Sequence, residues 1–137
     1  MQPENVSLAS FSFKKNEKIC SDIRISQLVR QKRSVYCYPF RCLYQFSKTD
    51  VPAPNQILIT VPKRNFKLAV HRNRIKRLLR EAYRLNHRSI LDPFTAQNDV
   101  KAEIFIIFIG KELYPYNFME DKIIELLKRL SKIENLR

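Results

Sequence analysis

Glycine is almost missing from this chain: Gly110 stands alone among 137 residues. One glycine cannot build a phosphate-cradling loop, which excludes nucleotide-binding motifs of that kind. The cysteines, Cys20, Cys37 and Cys42, are odd in number and show no C-x-x-C spacing. That argues against a disulfide framework or a zinc site and for reduced thiols in a cytoplasmic protein. On a single strand, Cys37 and Cys42 would point to opposite faces. Acid is scarce, with 13 Asp and Glu against 26 Lys and Arg, a net charge of +13. The longest apolar run, IFIIFI at 104–109, is far too short to cross a bilayer. MQPENVSLAS, at the start, lacks the charged and apolar regions of a signal peptide, so no membrane partner is expected. There is no D-x-D, no H-x-x-x-H, and no Ser or Cys in a nucleophile motif. A protein-based nuclease needs such groups to bind metal or move protons. Asp92, Asp99, Glu103, Glu120, Asp121 and Glu125 read as solvated surface. His71 reads as structural, and His87 as a cation suited to a helix C-terminus. No catalytic residue and no protein metal ligand is assigned.

What is present is enough apolar material for one compact domain, 45% of the residues. The charge is unevenly spread. Residues 1–91 hold 19 Lys and Arg against 5 Asp and Glu, whereas residues 92–137 hold 7 against 8. A balance this basic points to nucleic acid or another polyanion, bound by the first two thirds of the chain. The densest stretch is KLAVHRNRIKRLLREAYR, Lys67 to Arg84. Leu68, Ile75, Leu78, Leu79, Ala82 and Leu85 recur at helical spacing and fall on one arc. Asn73, Lys76, Arg77, Arg80 and Arg84 take the opposite arc, with Arg72 and Arg74 at its margins. Glu81 is the one acid among them. Solvated helix faces usually mix signs, so a face that mostly repels itself calls for a polyanion to cover it.

Around this helix the pattern reads helix, strands, helix, strand, helix. Residues 1–12 are polar and loose. Phe13 to Gln31 is helical, with a break and an N-cap at Ser21-Asp22. SVYCYPFRCLYQF, Ser34 to Phe46, is strand. It places Tyr36, Tyr38, Phe40, Cys42, Tyr44 and Phe46 on one face and Arg41 and Leu43 on the other. The aromatic face is either core or an open base-stacking platform; if it is core, the Arg41 face is open. Pro39 marks an edge or a bulge. Gln56 to Val61 is a second strand. A loop follows Asn86, and Ala102 to Ile109 reads as a strand buried on both faces. Asn117 caps a last helix running to Glu134, with Glu120 completing a capping box. Phe118, Ile123, Leu126, Leu127, Leu130 and Ile133 form its stripe. The expectation is an α+β single domain over residues 13–137, one sheet with helices packed on it. The charge pattern alone fits any RNA binder, a ribosomal-type protein included.

The block Arg72-Asn73-Arg74-Ile75-Lys76-Arg77, followed by Leu78-Leu79-Arg80-Glu81-Ala82-Tyr83-Arg84, resembles the signature of the bacterial ribonuclease P protein component. Val61-Pro62-Lys63-Arg64 and Ala69-Val70 are similar to that family's strand end and helix start. The resemblance implies a mixed sheet with an unusual left-handed βαβ crossover around the basic helix. It implies a subunit of an endoribonuclease that removes the 5′ leader of precursor tRNA, with catalysis carried by an RNA subunit and its Mg2+. Partners would be that RNA and the leader, and the free protein a monomer. By position, the RNA-facing role falls to Lys63, Arg64, Arg72, Asn73, Arg74, Lys76, Arg77, Arg80 and Arg84. Arg41 and Leu43 would floor a leader cleft, with Ile25 and Val29 on its helical wall. The sequence departs from the family where that wall carries phenylalanines, which leaves stacking to Phe13 or a strand tyrosine. It also has Asn65-Phe66-Lys67 where a glycine usually precedes the helix.

Overall fold

A computed structural model describes residues 33–51 and 53–133. Its elements are β1 (Ser34–Cys37), β2 (Phe40–Lys48), β3 (Gln56–Thr60), α1 (Ala69–Ile90), α2 (Asp92–Gln97), β4 (Val100–Phe108) and α3 (Tyr116–Leu130). The segment 1–12 and the helix expected over 13–31, with Cys20, Ile25 and Val29, lie outside the described residues.

The four strands form one sheet in the order β1-β2-β4-β3. β1 and β2 pair antiparallel, as do β2 and β4, while β3 and β4 are parallel neighbours. The sheet is therefore mixed. The connection between its parallel strands passes through α1, which places the basic helix by topology. The fold is the expected α+β arrangement.

Side chains on one sheet face build the core. Phe40, Cys42 and Phe46 from β2, Ile57 and Ile59 from β3, and Ile104, Ile106 and Phe108 from β4 are buried there. They meet Ile75, Leu79, Ala82 and Tyr83 of α1 and Met119, Ile123, Leu126, Leu127 and Leu130 of α3. Asn55 fastens the lower edge. Its Oδ1 accepts from the Ala102 N–H at 2.8 Å, and its Nδ2 donates to Asp92 Oδ1 at 2.8 Å and Thr95 Oγ1 at 3.1 Å. A buried amide saturated in this way costs little and fixes register.

Several local expectations change. The stretch 34–46 is a hairpin reversed at Tyr38-Pro39, because Tyr36 pairs with Arg41 and Cys37 with Phe40. Tyr36 and Tyr38 consequently leave the aromatic face and are exposed, at 59% and 45%. The reversal also turns Cys37 to the core side with Cys42 instead of away from it. Both thiols are buried and free, and burial pushes both pKa values up, so they stay protonated and inert.

β4 is buried all along its core side, whereas on the other side Phe105 and Ile107 are half-buried and only Glu103 is buried, at 1%, not on the solvated surface expected for it. α1 begins at Ala69, with Leu68 as its exposed N-cap, and continues beyond Asn86 to Ile90. Asn86 donates to the Ala82 carbonyl at 2.8 Å. His87 is buried, stacked on Tyr83 at 4.6 Å with its Nδ1 3.0 Å from Asp92 Oδ2, and so does not sit at a solvated helix end. The chain then forms α2 where a loop was expected. Leu85 points outward, 41% exposed, and Tyr83 takes its place in the seam. At about 100° per residue Leu85 lies roughly 120° from Leu79 around the helix, whereas Tyr83 lies only about 40° from it. α3 has no side-chain cap at Asn117; Pro115 precedes its first turn, and it ends at Leu130. Glu120 instead accepts from Asn86 Nδ2 at 3.1 Å, joining α3 to α1. Met119, not Phe118, heads the buried stripe.

Leu79 has no solvent exposure. Leu79→Ala should destabilise the fold by about 2–5 kcal/mol. A denaturant midpoint equal to that of the wild type would contradict this packing.

Candidate nucleic-acid interface

The approach to α1 is built from a turn and an anchor. Val61 ends the β3 side buried, and the Asn65 N–H donates to the Pro62 carbonyl at 3.3 Å. This turn leaves Lys63 and Arg64 exposed. Phe66 then folds into the core against Phe108, with ring centroids 5.9 Å apart. No side chain caps the first turn of α1. Arg72 reaches back, and its Nη1 donates to the carbonyls of Phe66 at 2.7 Å and Lys67 at 2.9 Å. Its guanidinium fixes the approach where the sequence lacks a glycine, so Arg72 serves position first and contributes charge second.

Opposite the buried seam, Asn73, Arg74, Arg77, Arg80 and Arg88 are exposed, and Lys76 and Arg84 are half-buried. Residues 73, 77, 80, 84 and 88 follow three- and four-residue steps and so lie along one side of the cylinder. Glu81 is the single acid on α1, and Arg84 grips it through Nε at 3.0 Å. Among the described residues no acid pairs with Arg74, Lys76, Arg77 or Arg80. Cations held this close on a rigid rod raise the local potential and suit forked contacts to phosphate oxygens.

Arg88 was not among the expected RNA-facing residues. Its spacing from Arg84 carries the signal, but a helix ended at Asn86 hides it.

Arg41 and Leu43 are not part of this stripe. They lie on β2, separated from β3 by β4, and face away from α1. Arg41 is exposed, in register with Tyr36 and Ile107. Leu43 is buried at 5% exposure between its register partners Ser34 and Phe105, so that face is only partly open. Ile25 and Val29, expected opposite them, fall outside the described residues.

A cleft of about 280 Å3 opens between the β2–β3 connection and α2. Asp50, Asp92 and Asp99 line it and no basic residue does, which makes it hostile to a polyanion. Among the described residues no three His, Cys, Asp or Glu side chains come together to hold a metal ion. No helix among the described residues is long and apolar enough to cross a membrane.

Arg77→Ala and Arg80→Ala should each weaken RNA binding and lower the slope of log affinity against log salt by about one, with melting unchanged. An unaltered slope would mean that the face is merely solvated.

Comparison with known proteins agrees with this fold. The family model for ribonuclease P matches residues 13–131. The ribonuclease P protein component of Porphyromonas gingivalis is 30% identical over 125 residues, covering 91% of this chain and 90% of the relative. That of Clostridium novyi is 31% identical over 116 residues, covering 85% and 95%. The solved RNase P protein of Thermotoga maritima superposes with a TM-score of 0.65 at 23% identity, over 87% of this chain and 99% of that one. The Staphylococcus aureus RNase P protein gives 0.64 at 20% identity, over 88% and 100%.

Proposed function

This chain belongs to the ribonuclease P protein family, and on that premise we propose that it is the RNA-positioning subunit of a tRNA 5′-processing endonuclease. Its partners are a catalytic RNA and the single-stranded 5′ leader of precursor tRNA. The observation that carries this is the continuous cationic side of α1, whose central arginines have no acidic partner among the described residues. Arg74, Lys76, Arg77 and Arg80, extended by Arg84 and Arg88, neutralise RNA phosphates. Lys63 and Arg64 add to them at the turn, because Arg72 binds that turn to the first turn of the helix. Arg41, on the far sheet face, meets the leader.

The reaction is hydrolysis of a phosphodiester that leaves a 5′-phosphate on the tRNA. Among the described residues the donor set does not fit a resident divalent ion: no three His, Cys, Asp or Glu come together, and Glu81, the single acid on α1, is engaged by Arg84. The Mg2+ of the reaction belongs with the RNA. The protein contributes by lowering repulsion between two RNA strands and by fixing their relative position, a gain in proximity. The protein works as a free monomer that joins the RNA, in the cytoplasm where precursors are made.

Reconstitution with the cognate RNA subunit tests this. At low magnesium, adding the protein should increase precursor cleavage and tighten binding of precursors that carry a leader. No gain in either would contradict the proposal.

A further inference from the structure

The far end of the sheet carries an aromatic ladder that the basic helix does not use. Tyr38, at the hairpin tip, accepts a hydrogen bond from the Tyr114 hydroxyl at 3.4 Å. The Tyr114 ring stacks on Phe118, centroids 4.5 Å apart and planes 27° apart. Lys122 Nζ sits 5.6 Å from the Phe118 centroid. Tyr114 also meets Phe108 edge-on at 6.3 Å, which seats the ladder on the core.

The tip is held in place from below. The Ile109 N–H donates to the Pro39 carbonyl at 2.8 Å. A Cβ on Gly110 would stand 3.0 Å from Pro39 Cβ, so this position takes a glycine to let the hairpin come close. Rings preset in this way lose little freedom on binding.

Charge here is nearly balanced. Lys122 and Arg129 share Glu125, at 3.8 and 2.6 Å, and Lys111 and Glu112 are exposed neighbours. A ligand held at this place is held by ring faces more than by charge. Every base offers such a face. The route to it is also fixed. Arg41 and Tyr36 are register partners on the sheet face away from the helices, and β1 is the edge strand. A strand lying on Arg41 and continuing past Tyr36 arrives at Tyr38.

We propose that Tyr38, Tyr114 and Phe118 form a base-stacking step for an unpaired nucleotide of the precursor's 5′ leader, where that strand leaves the sheet face past Arg41 and Tyr36. This rests on the chain being the leader-binding subunit. The hydrogen bond to Tyr38 pushes the Tyr114 hydroxyl up to about 12, so that ring carries no charge across the physiological range.

The test uses the reconstituted holoenzyme and a series of precursors, from none to a long leader, with wild type, a Tyr38→Ser/Tyr114→Ser double variant and a Tyr38→Phe/Tyr114→Phe control. Wild type should gain affinity once the leader is long enough to reach the tip. The serine variant should lose about tenfold of that gain, with its salt slope unchanged and its affinity for leaderless RNA intact. The phenylalanine control, which keeps the rings, should retain the gain. A serine variant with the full length-dependent gain would overturn the ladder and leave leader binding standing. An equal loss with and without leader would also overturn it, as a contact to the catalytic RNA. A wild-type curve flat with leader length would remove leader binding and the ladder together.

Discussion

Ile75, Leu79, Ala82 and Tyr83 are sealed from water along one side of α1, and the placement of the cations follows from that seam. With about 100° between successive residues, burying this line turns Asn73, Arg77, Arg80 and Arg84 outward without any further instruction. Mutual repulsion among the arginines would fray an isolated helix. Here the seam and both ends hold it. Phe66 and the Arg72 guanidinium secure the start. His87 against Asp92, itself bound to Asn55, secures the finish. The core therefore sustains a surface that is electrostatically unfavourable until an anion covers it.

Two surfaces arise from one sheet. The helices occupy one face, and the basic stripe lies on their outer side. The other face presents Arg41 beside Tyr36, and its edge leads to the hairpin tip. The strand order puts β4 between β2 and β3, so the two surfaces stay apart on one small domain. On neither surface do three His, Cys, Asp or Glu side chains come together among the described residues.

Periodicity made the core helices, the strands on either side of the basic helix and the exposed arginines legible in the sequence. Spacing alone puts Arg77 and Arg80 on the outer arc and Arg74 at its margin, and the family resemblance supplies the RNA-facing role. The hairpin was hidden: apolar and aromatic alternation continues unbroken from Tyr36 to Phe46, and Pro39 also fits an edge or a bulge. Asn86, His87 and Ser89 look like a helix end, yet Asn86 to Ala82 and His87 to Asp92 keep α1 going. Arg88 was lost with that turn. The meeting of Tyr38 with Tyr114 spans 76 residues and leaves no local signal. Arg72 behaves differently from its neighbours because the backbone carbonyls of Phe66 and Lys67 lie within its reach.

The most direct measurement is an arginine-specific modification footprint of the protein, free and bound to the catalytic RNA, with each residue read by mass spectrometry. Arg74, Arg77 and Arg80 should be reactive in the free protein and protected in the complex, while Arg129, held by Glu125 on α3, changes little. Equal reactivity of the three α1 arginines in both states would contradict a helix face made to bind RNA.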